Sequence, residues 1–375
     1  MKTKFLSSLL IIVLNFSCRE KSFHQLKADN TDFIPNTVFV SAEDLSSPKF
    51  RALREKYQLD TIFHGEQDEF KRILLLRNWI SEKIMISDFE NSYPGEGYAE
   101  GILDAALKGH GFHCGHYMIV QNAIMNAYGY ITRCLGAGPG VKGGPDGHHG
   151  VNEIWLNKNK KWFLSDAKYN HHFEKNGIPL SALEVRDEYL KNQAADIELV
   201  KGPERTLING DKVANIKGEM IEWTRQRFAQ TYTWIEWESS GSRYTGWPGN
   251  SHDLSKMNMF ADGYFKDHVW IWDGKPHWAY NTEFMKLIPD RESFEWTPNV
   301  IASSVTITGN IAMIKLRSNT PNLKTYQVKE LPDGAWRNIP DSVEIKLTKE
   351  RNELLFRAVN LADVNGPEHK IILAN

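Results

Sequence analysis

The sequence predicts an α+β protein of two folded parts. Three observations carry that expectation. Apolar residues recur at helical spacing between residues 50 and 128; two strand-like runs joined by a polar turn follow at 151–167; and from about Thr297 short alternating runs are separated by turn residues. At 375 residues the chain is longer than one compact core needs. A charged fraction of 25% and a formal net charge of -2 leave no global field to gather nucleic acid or an anionic surface. No nucleic-acid partner is therefore expected.

The N-terminus carries Lys2 and Lys4, then the apolar run FLSSLLIIVL, then NFSC ending at Cys18, the order of a secretory signal. The run is too short to span a bilayer. Ser17 directly before Cys18 resembles the lipobox of bacterial lipoproteins, although Asn15 stands where that motif prefers leucine. The resemblance implies lipidation at Cys18, a membrane anchor, and a place in the bacterial cell envelope, periplasmic or outer-membrane. An ordinary signal peptide with an incidental cysteine is the alternative.

Residues 19–40 are polar without an apolar period and read as a tether. Phe70, Ile73, Leu74, Ile80 and Ile84 fall on one helical face, which Leu76 and Trp79 broaden. Ile119, Val120, Ala123, Ile124 and Ala127 predict a second helix over 115–128, with Gly129 as its stop. Cys114 is then at a helix N-terminus. The other mature cysteine, Cys134, is placed beyond that whole helix, out of reach of a disulfide at roughly 1.5 Å of rise per residue. It reads as a buried core thiol.

GAGPGVKGGPDGHHG, residues 136–150, is loop by composition. VNEIWLN and KWFLSDA then form a hairpin about Lys158 and Asn159. Centring the turn there puts His149 opposite Lys168 and diagonal to Asp166, on one face and within roughly 7–8 Å. Most of the 12 tryptophans lie in 220–282. The runs VTITG, IAMIKLRS, KTYQVKEL, VEIKLTK, LLFRAVN and KIIL predict a small antiparallel β-sandwich over 296–375, of the Ig/fibronectin-like kind.

A thiol at a helix N-terminus meets unpaired N–H groups and the positive end of the helix dipole, which favour thiolate. Such a nucleophile needs a base and the base an orienting acid, and the hairpin supplies both. Here Gly111, Cys114, the helix closing at Gly129, Arg133, then His149 four residues before Glu153, then WFLSDAKY, resemble the transglutaminase-like superfamily of papain-type cysteine enzymes over roughly 50–169. Phe112 and Val151 depart from the common pattern. The resemblance implies a papain/transglutaminase-like core, a Cys-bearing helix packed on an antiparallel sheet. Cys114 takes the nucleophile's position, His149 the base's and Asp166 the orienting acid's. It implies attack on a peptide or protein amide through a thioester, hydrolysed or transferred, with no cofactor. On that basis 41–295 forms a catalytic domain with an aromatic-rich extension.

Other readings stand beside this one. Cys114 could be a small buried hydrophobe. His110, His113, His116, His148, His149, His171 and His172 could build a metal site, but the glycines at 111 and 115 make a poor ligand-bearing helix. The ordinary view places His113, His116 and His148 along the substrate cleft. Trp247 and Trp272 are candidates for stacking a sugar, which would make the enzyme a glycan-processing one; core packing is the plainer role for tryptophan. A non-catalytic lipoprotein that binds a surface polymer is the third reading.

Overall fold

A computed structural model describes residues 22–375 except 38, 40, 41, 88–92, 94–97, 139–148, 209, 215–219, 239, 240, 243, 246–255, 262–268, 274–284, 289 and 290. Cys18, His148 and Trp247 lie outside the described residues, and so does the side chain of Trp272. The fold is mixed, with helices packed against antiparallel sheets. No helix among the described residues is long and apolar enough to cross a membrane.

Four helices make the first layer: α1 (Pro48–Lys56), α2 (Glu69–Lys83), α3 (Ala99–Ala106) and α4 (Cys114–Ala127). Ser47 caps α1 and Asp68 caps α2, each side chain accepting a backbone N–H of the first turn. The expected face of α2 is the buried one, with Ile73, Leu74, Leu76 and Ile80 inside. Helix α4 is closed by its C-cap Tyr128 and by Gly129, the latter at φ +74. A side chain there would meet the Ala362 Cβ at 2.5 Å, so glycine is required for both conformation and space.

These helices pack on a seven-stranded sheet ordered Met285–Ile288, Val269–Asp273, Lys256–Ala261, Trp234–Glu238, Thr132–Gly138, His149–Leu156, Lys161–Ser165. Strand alternation sends Ile154 and Phe163 into the helical cluster and Val151 and Leu164 into a second cluster. That second cluster also takes residues of α5 (Ala182–Asn192) and α6 (Arg225–Gln230). Arg133 and Glu153 are cross-strand partners, both buried, bonded at 2.6 Å. Trp237 Nε1 and the Ala182 N–H also donate to Glu153, so this buried carboxylate is fully engaged. Trp237 is therefore a core residue.

The alternating runs after Thr297 form a three-stranded sheet, Ile301–Thr308, Ile311–Ser318 and Ser342–Lys346, and part of a five-stranded one. Both contribute to one apolar cluster, Ile314 and Ile345 from the first sheet, Val328, Phe356 and Ile371 from the second. One edge strand of the larger sheet is His24–Ala28, paired with His369–Ala374. The segment read as a tether thus contains a strand. It gives no apolar signal because four of its five residues are exposed and the backbone ladder holds it.

Candidate active site

Cys114 opens α4, and the helix N-cap is His113, whose Nδ1 accepts the Gly115 N–H at 3.2 Å. Just before it, Gly111–Phe112 pairs in parallel with Met85–Ile86. Tyr117 Oη donates to the Ile84 carbonyl at 2.5 Å, and Gln121 Nε2 donates to Ser165 Oγ at 2.6 Å. These bonds fix the rotation of α4 over the hairpin. At its N-terminus the helix lies against Gly150, whose backbone N–H donates to the Cys114 sulfur.

The hairpin pairs Asn152 with Ser165, Glu153 with Leu164 and Trp155 with Trp162, the register expected for a turn at Lys158 and Asn159. Its open end brings His149 Nε2 to 2.7 Å from Asp166 Oδ2. Asp166 is fully buried, whereas His149 keeps 12% of its side chain exposed. The other carboxylate oxygen, Oδ1, accepts the Tyr169 N–H at 3.1 Å. With Nε2 engaged by Asp166, the nitrogen left for Cys114 is Nδ1.

The electrostatics follow from these contacts. Burial alone would lower the His149 pKa, but the Asp166 charge and hydrogen bond, with the Cys114 thiol, raise it to about 9. Burial would push Asp166 up, yet His149 and His171 hold it well below the usual carboxylate range. Burial likewise opposes the Cys114 thiolate, and the bonds from His113, His149 and Gly150 outweigh it, leaving the thiol well below its ordinary value. Thiolate and imidazolium are the favoured forms.

Asp166 is held by a turn. Asp166 and His171 exchange two backbone hydrogen bonds, of 3.0 and 3.1 Å. Arg77 of α2, fully buried, donates to Asn170 Oδ1 at 3.2 Å and to the His171 carbonyl at 3.0 Å, and contacts His172 Nδ1 at 3.2 Å. His172 Nε2 meets Glu174 at 2.7 Å, and Arg205 pairs with Glu174. Sequence reasoning did not single out Arg77. Its signal was a charged residue four after Ile73, inside the apolar stripe of α2.

His113 and His116 lie side by side, ring centroids 4.2 Å apart, next to Cys114. His110 instead packs on Tyr93 at 4.2 Å. His171 and His172 are buried behind Asp166. Among the described residues no group of three or more His, Cys, Asp or Glu is placed to hold a metal. Neither Cys114 nor Cys134 is in a disulfide. Cys134 is buried at 1% exposure and accepts from Asn152 Nδ2 at 3.5 Å.

No family model matches the chain, and no curated protein does. Solved structures give distant similarities to cysteine-protease and transglutaminase folds. A candidate cysteine protease from Cytophaga hutchinsonii aligns at 13% identity and TM-score 0.25, over 47% of this chain and 53% of its own. The chain therefore spans about half the length of that protein. Red sea bream transglutaminase aligns at 9% identity and TM-score 0.25, over 81% of this chain and 68% of its own. Likenesses at this level carry no weight for the chemistry, which rests on the geometry above.

Proposed function

We propose that the protein is a cysteine-dependent enzyme of transglutaminase-like type that cleaves or transfers an amide acyl group. The observation that supports this most is the contact of His149 with two partners, Asp166 on Nε2 and the Cys114 thiol on its other side. In this reading the Cys114 thiolate attacks the amide carbonyl carbon, and the developing oxyanion faces the Cys114 backbone N–H at the head of α4. The C–N bond breaks as the His149 imidazolium gives its proton to the leaving amine. Water, or an acceptor amine, then loses a proton to His149 and attacks the thioester. The carbon–sulfur bond breaks and the thiolate returns.

Asp166 stays ionised throughout, holding the His149 ring and its charge. His113 and His116 border the thiol on the substrate side. The two sheets of the C-terminal part, with one shared cluster, are consistent with an appended β-sandwich, and Cys18 is proposed as the lipid anchor of an envelope protein. Trapping with a library of electrophilic fragments, read by mass spectrometry, tests the site. A single adduct at Cys114 is expected, and labelling spread equally over Cys114 and Cys134 would sink the reading. For the anchor, Cys18→Ala should abolish membrane association; a variant that still fractionates with membranes refutes it.

A further inference from the structure

We infer that His171 is a positioning residue: its Nε2–H faces the Asp166 oxygen that holds His149 and limits how tightly the carboxylate grips that imidazole. The inference rests on the thiol reading of the site and adds a residue to it. Asp166 Oδ2 lies 2.7 Å from His149 Nε2 and 3.7 Å from His171 Nε2. One carboxylate oxygen therefore stands between two imidazoles.

The His171 ring has little freedom to do anything else. It is 2% exposed, stacked on Tyr169 at 10° between planes, and met edge-on by Phe173 and Phe228. Its backbone is fixed twice, by the bridge to Asp166 and by the Arg77 bond to its carbonyl. Nε2 is buried with no hydrogen-bond partner among the described residues, an arrangement that costs stability unless it serves something. At 3.7 Å the contact is an ion–dipole pair rather than a hydrogen bond. An N–H turned to the carboxylate is attracted, whereas a nitrogen lone pair there would be repelled.

The charged and titratable groups acting on the ring or packed against it are Asp166, Arg77, His149, His172 and the stacked Tyr169. Burial, with the cations among them, outweighs Asp166 and lowers the His171 pKa to about 3. The ring is thus neutral over the working range and carries one proton, which Asp166 draws to Nε2. Its role in the cycle follows. His149 must hold a proton against the thiolate and then give it to the leaving amine. A carboxylate with no second N–H facing it would bind the imidazolium more tightly and retard that release.

The test is a nitrogen-15 NMR titration of the histidine rings in the intact protein and in His171→Phe and His171→Gln. Wild-type His171 should stay neutral with the proton on Nε2 from pH 5 to 9. His171→Phe keeps an aromatic ring in the nest but removes the N–H, and should raise the His149 midpoint by about one pH unit. His171→Gln restores a donor and should return the midpoint to near wild type. An Nδ1–H tautomer at His171, or a His149 midpoint unmoved or lowered in His171→Phe, overturns the inference. A packing role alone would change only the melting temperature. None of these readings needs turnover, so they fail separately from the thiol reading, which fails if wild-type Cys114 is alkylated no faster than Cys134.

Discussion

Gly150 and Gly115 stand so close that a Cβ on Gly150 would lie 3.2 Å from the Gly115 Cα. The N-terminus of α4 therefore rests on the strand backbone itself, which is how a helix-borne thiol comes beside a strand-borne imidazole. Gly150→Ala should push the two apart. We expect it to cost about 1–3 kcal/mol of stability and to slow Cys114 alkylation at neutral pH. Urea unfolding and labelling kinetics on the same variant check both. A fully stable, fully reactive Gly150→Ala protein would show that the close approach is dispensable.

Cys114 should behave as a thiolate well below neutrality. Its alkylation is expected to persist below pH 7, while Cys134, 1% exposed, stays protected until the protein unfolds. Peptide mapping after timed alkylation at several pH values measures this. Cys114→Ala should abolish turnover with little loss of stability, because a thiol partly open to solvent leaves only a small cavity.

His149 is the first residue of its strand, and its ring meets Asp166. His149→Ala should lower the rate of Cys114 alkylation at pH 7 by roughly 100-fold or more, whereas His148→Ala should retain most of it. Asp166→Asn should be milder than His149→Ala in the same assay, since it disturbs the tautomer and leaves the base in place. A dead His148 variant beside a reactive His149 variant would reverse the assignment.

The buried histidines behind Asp166 set the acid limit of the fold. Burial lowers His171 to about 3 and His172 to about 4. Glu174, against its own burial, is lowered to about 2 by His172 and Arg205. The unfolded chain binds protons at both imidazoles below pH 6.5 that the folded chain refuses, so stability falls as pH drops from about 6.5 toward 3. Glu174 adds to this below about pH 4.5, because its folded carboxylate also resists protonation. Each histidine contributes a slope of at most about 1.4 kcal/mol per pH unit. Chemical denaturation from pH 7 to 4 should show that slope reduced in His172→Phe, and an unchanged slope would contradict the burial argument.

Local order decided much of what could be read without a structure. The apolar period of 115–127 is enough for α4, because a helix's buried face is written in its own spacing. Register in the 149–166 hairpin follows from one turn, since a period of two carries alternation from Lys158 and Asn159 out to His149 and Asp166. The alternating strands after Thr297 were legible for the same reason. Long-range relations were not. His24–Ala28 joins a sheet whose partner strand is His369–Ala374, held by backbone groups that every residue possesses. Arg77 reaches the Asp166–His171 turn from a separate helix, and a lone arginine in an apolar stripe does not say what it will meet. The second imidazole at Asp166 came only with the fold. His171 sits on a short return strand whose position depends on the bridge back to Asp166, and the side-chain distances that make it a neighbour of the carboxylate exist only once the chain has closed on itself.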